Sequence, residues 1–214
     1  MTHESSILRG KRYLVIDSFL DERVANDMEN LCLDYEFPWY FGYAEQKRKN
    51  NFSTVDKGDP FGLHNHPLVN DGVQAVHHIV KEREVVSQNF YKEYLSKILF
   101  KIDSHFGVER VPVQRAKCNL QPQLTNNKPI YFNVPHIDTM DKHISFIYYI
   151  NDNDGHTIFF TDESKDKNSP LEIEHRVESK KNRIVFFDGS ILHTGQNPIN
   201  SHLRAVINVN IDWI

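Results

Sequence analysis

The chain reads as a mainly β, α+β protein: a double-stranded β-helix, or jelly roll, with N-terminal helices packed on one of its sheets. Three observations lead there. Apolar residues in the first half recur at helical spacing. The second half breaks into short β-rich runs at 111–121, 130–138, 143–151, 156–161, 171–178, 182–187, 191–195 and 203–213. Polar punctuation separates those runs, notably at Thr125 to Pro129, Asn151 to Gly155 and Asp162 to Pro170. About eight strands in about 100 residues, after a helical half, suit two packed sheets with helices on one of them.

Taken in order, Arg12 to Ile16 is a short strand that ends at Asp17-Ser18. Ser18, with Asp21 three residues on, reads as a helix cap. Val24, Ala25, Met28, Leu31 and Cys32 then follow the helical period. From Glu36 to Gly72 no period holds, and aromatic residues mix with Gly, Pro and Asn. Segment 39–70 is therefore either an irregular packing layer or a lid over a substrate. Between Val73 and Phe106, Val76, Val80, Phe90, Tyr94, Leu95, Ile98, Leu99 and Ile102 point to one or two amphipathic helices. No internal repeat interrupts this order. The expected organisation is a single domain, with 1–109 as a helical support layer and 110–214 as the jelly-roll core.

With 214 residues the chain can bury a core without staples, and its two cysteines, Cys32 and Cys118, make no disulfide framework. A reducing, cytoplasmic setting follows. The formal charge of -4 and pI near 6.3 give no basic footprint for nucleic acid. Lys47-Arg48-Lys49 is read as a solvated loop. The N-terminus lacks the apolar stretch of a signal peptide, and the run Ile144 to Ile150 is too short to span a bilayer. Oligomeric state is left open.

The chemistry concentrates in His136-Ile137-Asp138 and a distant His193. Residues i and i+2 of an extended segment point the same way. A His and an Asp so placed, joined by a second His from another strand, form a three-ligand face. Two His and one carboxylate with open positions opposite is the donor set of non-haem Fe(II) oxygenases. On the last strand Ala205, Ile207, Val209 and Ile211 are apolar, while Arg204, Val206, Asn208 and Asn210 share the other face. A cation and two amides on one face are polar toward solvent or toward a lined cavity. Beside the triad, Arg204 reads as a fork for a carboxylate, with the Tyr149 hydroxyl near it. Lys117, Asn119 and Gln121 share a face that can line the same cavity. His64 and His66 lack a third ligand and are read as loop residues.

The series His136-x-Asp138, Ile147-Tyr148-Tyr149-Ile150-Asn151, Asp154-Gly155-His156-Thr157, Phe186-Phe187-Asp188, His193 and Arg204 resembles the 2-oxoglutarate and Fe(II)-dependent oxygenases, in particular their prolyl-hydroxylase-like branch. The resemblance covers about residues 110–213. It implies Fe(II) on His136, Asp138 and His193, with 2-oxoglutarate and O2 as co-substrates. It also implies that Arg204, Tyr149, Gln121 and Thr157 bind 2-oxoglutarate. The implied reaction hydroxylates a C–H bond of a protein residue or small molecule, releasing succinate and CO2. Substrate choice then falls to the loops 39–70, 122–135 and 140–143. Two departures weaken the transfer of a substrate: Arg204 stands where collagen-type prolyl hydroxylases have Lys, and Asp154-Gly155 replaces a frequent Gly-Gly. The alternatives are a cupin-like or non-catalytic metal-binding jelly roll, and a hydrolytic zinc enzyme. A cupin would show a closely spaced His-x-His with a nearby Glu, and a zinc hydrolase has no need of the Arg204 socket.

Overall fold

The computed structural model describes residues 5–41, 63, 67–69, 73–124, 132–165 and 169–214. Its elements are β1 (Tyr13–Ile16), α1 (Glu22–Leu33), β2 (Tyr40–Phe41), β3 (Ala75–Lys81), β4 (Glu84–Val85), and a continuous helical stretch made of α2 (Gln88–Phe90), a π-helical segment (Tyr91–Leu95) and α3 (Ser96–Phe106). Then come β5 (Val113–Pro122), β6 (His143–Tyr149), β7 (Thr157–Phe160), a 3-10 turn (Asp162–Lys165), β8 (Ile173–Val177), β9 (Ile184–Asp188), β10 (His193–Gly195) and β11 (Leu203–Asp212). The large sheet runs β1-β9-β6-β11-β5-β3-β2, with β4 paired to β3. The small sheet runs β10-β7-β8. All named strand pairs are antiparallel, as a jelly roll requires.

Alternation divides each central strand between two cores. On β11, Ala205, Ile207, Val209 and Ile211 pack with Phe146, Tyr148, Ile184 and Phe186 against Met28, Cys32, Leu95, Ile98 and Ile102 of the helices. The opposite face meets the small sheet, where Ile147, Tyr149, Phe159, Val177, Val185, Phe187, Ile191 and Val206 form a second cluster. A third cluster, including Phe132, Ile158, Phe160 and Leu192, covers the far side of the small sheet. The helices thus brace one face of the large sheet and leave its other face to the barrel interior.

Helix α1 starts at Asp21, whose side chain accepts from the Arg23 N–H at 2.9 Å; such a cap is worth about 1 kcal/mol. Ser18 is not the cap. It takes a positive φ of 50° in the turn before the helix. Ala25, Met28 and Cys32 are buried, whereas Leu31 remains 40% exposed. Cys32 lies beside Cys118 of β5, and both thiols are free and buried.

The largest departure from the sequence reading is Ala75–Lys81, expected to be helical and found as strand β3 on the edge of β5. Val76 and Val80 suit a helix by spacing, but β-branched residues crowd a helix and favour a pleated surface. Ala75, His77 and Ile79 are buried in alternation. The first half therefore supplies strands as well as helices. The run 130–138 is also not a strand over its described part: only isolated bridges occur, Val69 with Phe132 and His136 with His193. Most of segment 39–70, with Lys47-Arg48-Lys49, His64 and His66, lies outside the described residues.

Candidate metal centre and anion socket

His136 and His193 are joined through the backbone. The His136 N–H donates to the His193 carbonyl at 2.9 Å and the His193 N–H returns a bond at 3.0 Å. A pair that exchanges both bonds sits directly opposite, so its side chains leave on the same face. The rings are 4.9 Å apart between centroids. Asp138, two residues on, completes the group, and the three ligand atoms lie within 4.8 Å of one another. Among the described residues this is the one group of three or more His, Cys, Asp or Glu that converges so closely.

Each imidazole is oriented for coordination. His136 Nδ1 bonds the Val134 carbonyl at 3.0 Å and His193 Nδ1 bonds the Ile191 carbonyl at 3.0 Å. With Nδ1 donating, the Nε2 lone pair is left to face Asp138, 3.8 Å away for His136 and 3.9 Å for His193. His193 Nε2 is buried and has no hydrogen-bond partner. Burial, reinforced by the nearby His136, pushes the His193 pKa down to about 4, so its ring is neutral at pH 7. Burial alone would raise the Asp138 carboxyl, but Arg115, His193, His136 and Lys117 outweigh it and hold the group far below the usual carboxylate range. Two imidazoles and a carboxylate form a donor set that fits a divalent ion.

Arg115 was not singled out in the sequence. Its Nη2 donates to Asp138 Oδ1 at 2.5 Å. Extending the period-two face of Lys117, Asn119 and Gln121 by one step would have found it.

At the other end of the barrel interior, Arg204 is 2% exposed. Its Nη1 donates to Gln121 Oε1 at 2.6 Å, its Nη2 to Thr157 Oγ1 at 2.9 Å and its Nε to Ser179 Oγ at 3.3 Å. Gln121 is its direct cross-strand partner in the β5–β11 register. Tyr149 Oη donates to the same Thr157 oxygen at 2.7 Å, and the Arg204 guanidinium carbon lies 5.8 Å from the Tyr149 ring centroid. Thr157 Oγ1 thus accepts twice, which leaves its own O–H to give. The structure gathers Arg204, Tyr149, Gln121 and Thr157 into one cluster. No carboxylate answers the buried guanidinium among the described residues, and burial lowers its pKa. A buried cation surrounded by neutral donors and acceptors is an anion socket in its chemistry.

Two glycines make room for this arrangement. A Cβ on Gly155 would come within 2.8 Å of Arg204 Cδ and 2.4 Å of the Gln196 carbonyl oxygen. A Cβ on Gly189 would meet the His143 ring at 2.1 Å, at the start of the strand that follows the metal-side turn.

Comparison with known proteins agrees with this geometry. The family model described as the 2OG-Fe(II) oxygenase superfamily matches residues 122–212. That segment contains His136, Asp138, His193, Tyr149, Thr157 and Arg204, together with β6 to β11. A prolyl-4-hydroxylase from Pseudomonas putida superposes with a TM-score of 0.56 at 13% identity, over 97% of this chain and 95% of that one. A prolyl hydroxylase from Trichoplax adhaerens, in complex with a hypoxia inducible factor oxygen degradation domain peptide fragment, gives 0.56 at 13% identity over 96% and 86%. An oxidoreductase of the 2OG-Fe(II) oxygenase family from Burkholderia pseudomallei gives 0.58 at 10% identity over 97% and 88%. No curated protein matches the chain. The jelly roll, the matched segment and the convergent His-Asp-His group agree: residues 122–212 match the 2OG-Fe(II) oxygenase superfamily, whose chemistry uses Fe(II) and 2-oxoglutarate.

Proposed function

We propose that the protein is a dioxygenase that hydroxylates a C–H bond of a peptide residue or small molecule, consuming 2-oxoglutarate and O2. His136, Asp138 and His193 are assigned as the iron ligands, and Arg204, with Gln121, Thr157 and Tyr149, as the socket for the far carboxylate of 2-oxoglutarate. The observation that carries this reading is the pairing, inside one barrel, of a convergent two-His, one-carboxylate group with a buried arginine that has no carboxylate partner among the described residues. When bound, the iron supplies the oxidising chemistry, in which 2-oxoglutarate is converted to succinate and CO2 and the substrate gains a hydroxyl. The chain's own residues do the rest. Backbone carbonyls of Val134 and Ile191 hold the imidazoles in one tautomer. Arg204 fixes one end of the co-substrate, and Phe159 and Phe187 pack against His193 to keep water from its side of the site.

The peptide alternative draws support from the peptide-bound Trichoplax adhaerens neighbour. The reading treats residues 1–214 as one domain, working in a reducing, cytoplasmic compartment that keeps Fe(II) and the Cys32 and Cys118 thiols reduced.

The test is calorimetric titration of 2-oxoglutarate into Mn(II)-loaded protein, beside Arg204→Ala. Metal-dependent binding that falls by about tenfold or more in the variant is expected, since a charge-assisted contact contributes about 1.5–3 kcal/mol. Absence of binding in folded, metal-loaded protein would return the chain to a non-catalytic jelly roll.

A further inference from the structure

The third ligand of the metal group is held differently from the other two. His136 and His193 are fixed by their paired backbone bonds and by ring bonds to the Val134 and Ile191 carbonyls. Asp138 lies on the irregular run between His136 and β6, with no such bridge among the described residues. Its side chain is 3% exposed and is held instead from β5, where Arg115 Nη2 donates to Oδ1 at 2.5 Å. The other oxygen, Oδ2, takes only a long contact from Ser145 Oγ, at 3.4 Å. A charge-assisted bond at the shorter distance is much the stronger of the two. Oδ2 faces His193 Nε2 across 3.9 Å. The two carboxylate oxygens are thus unequal.

A bulge in the sheet gives Arg115 this place. In the β5–β11 register Asn210 pairs with Arg115, but the next residue, Ile211, pairs with Val113, so Gln114 is an extra residue in β5. In a regular strand 113 and 115 would share a face. The bulge parts them: Val113 packs on the helix-side core, while Arg115 stands on the barrel side with Asp138. The bulged residue is anchored in its own right. Gln114 Nε2 donates to Asp212 Oδ1 at 2.8 Å, and its carbonyl accepts the Arg83 N–H at 3.0 Å. The backbone irregularity and the short ion pair are separate features that converge on one carboxylate oxygen.

Building on the oxygenase reading, we propose that Arg115 is a positioning residue for the metal centre: by claiming Asp138 Oδ1 it leaves Oδ2 alone to meet the metal. A carboxylate that gave both oxygens would take one more coordination position. The two-His, one-carboxylate set is useful because its remaining positions are open, and 2-oxoglutarate and O2 must share them. Arg115 therefore keeps a position open and touches neither co-substrate. A hydrogen bond to the outer atom of a metal ligand acts on the metal in this indirect way.

The experiment uses the full chain loaded with Mn(II), after calorimetry has measured binding of Mn(II) and then of 2-oxoglutarate. Water on the metal is counted without 2-oxoglutarate, from the broadening of the Mn(II) EPR lines in oxygen-17-enriched water. Arg115→Met, which lacks both charge and donor, should show one water fewer than wild type, because Asp138 then gives both oxygens. Arg115→Lys, which keeps a charged donor, should regain the wild-type count. A merely structural arginine would change stability and leave the count alone. Should Arg115→Met fail to fold, Arg115→Gln supplies the same comparison, since a neutral amide holds a carboxylate oxygen far less strongly than a cation does. Equal water counts in wild type and the neutral variant overturn the proposal. Loss of Mn(II) binding in a folded neutral variant overturns it too, by making Arg115 a support for the whole Asp138 segment. Failure of wild type to bind Mn(II) or 2-oxoglutarate removes the underlying oxygenase reading instead.

Discussion

His136 and His193, 57 residues apart in the chain, exchange both of their backbone hydrogen bonds, at 2.9 and 3.0 Å. The metal geometry is thus built into the backbone before any side chain is considered. Thr194 steadies the pairing, since its hydroxyl donates to the Asn133 carbonyl at 2.8 Å. Thr194→Val should leave the fold intact and weaken Mn(II) binding several-fold, because a lost hydrogen bond costs about 1 kcal/mol. Calorimetric metal titration reads this directly; unchanged affinity would mean that the segment before His136 is held without Thr194.

Thr157 accepts from both Arg204 and Tyr149. Thr157→Val removes that shared acceptor and the one hydroxyl proton it can give. The 2-oxoglutarate dissociation constant of the Mn(II) form is expected to rise about tenfold, with Mn(II) affinity unaltered. If both affinities fall together, the damage lies in the fold rather than in the socket.

Gly155→Ala places a methyl within 2.8 Å of Arg204 Cδ and 2.4 Å of backbone. Relief must come from movement of the Arg204 side chain or of the chain at Gln196. A stability loss of about 1–3 kcal/mol, together with weakened 2-oxoglutarate binding, is expected from urea unfolding and titration on the same sample.

His193 supplies a pH prediction for metal-free protein. Its pKa is pushed down to about 4 in the folded state, against roughly 6.5 when unfolded. The unfolded chain therefore binds the extra proton first. Stability contributed by the neutral ring is complete above about pH 6.5 and is lost as pH falls toward 4, on the order of 3 kcal/mol in all. Urea midpoints between pH 7 and 4.5 should fall more steeply for wild type than for His193→Gln. Parallel slopes would show that the buried ring is not what titrates.

Phe186 and Phe187 test the division between the two cores. Phe186 faces the helices, with Phe106 5.4 Å away between ring centroids, and Phe187 lies 4.7 Å from the His193 ring. Phe186→Ala should cost about 3–5 kcal/mol in unfolding free energy. Phe187→Leu, a gentler change, should lower metal affinity out of proportion to its small stability loss. Equal effects of the two on metal binding would deny the separation of faces.

Much of the second half was legible because its physics is local. Period-two alternation put Arg204, Asn208 and Asn210 on one face of β11 and the apolar residues on the other, and the register bears that out. Tyr149, expected beside Arg204, shares the barrel interior with it and meets Thr157 there. The reading failed where local signals compete. Val76 and Val80 satisfied a helical spacing, yet the open edge of β5 recruits that segment as β3. Pairing to a neighbour distant in sequence outweighs a weak intrinsic preference. His136 and Asp138 were assigned to a strand end. They lie instead on an irregular segment pinned by one bridge, which orients them equally well.

The sequence by itself determined the residue types that can do this chemistry and their order: His-x-Asp, a distant His, and an arginine on the last strand. Only the tertiary structure decided who meets whom. The His136–His193 bridge, the Gln121–Arg204 pair and the contact of Arg115 with Asp138 each join positions far apart in the chain. Such contacts depend on sheet register and closure. Register comes from the sum of many cross-strand and core contacts, and no short window of sequence contains that sum.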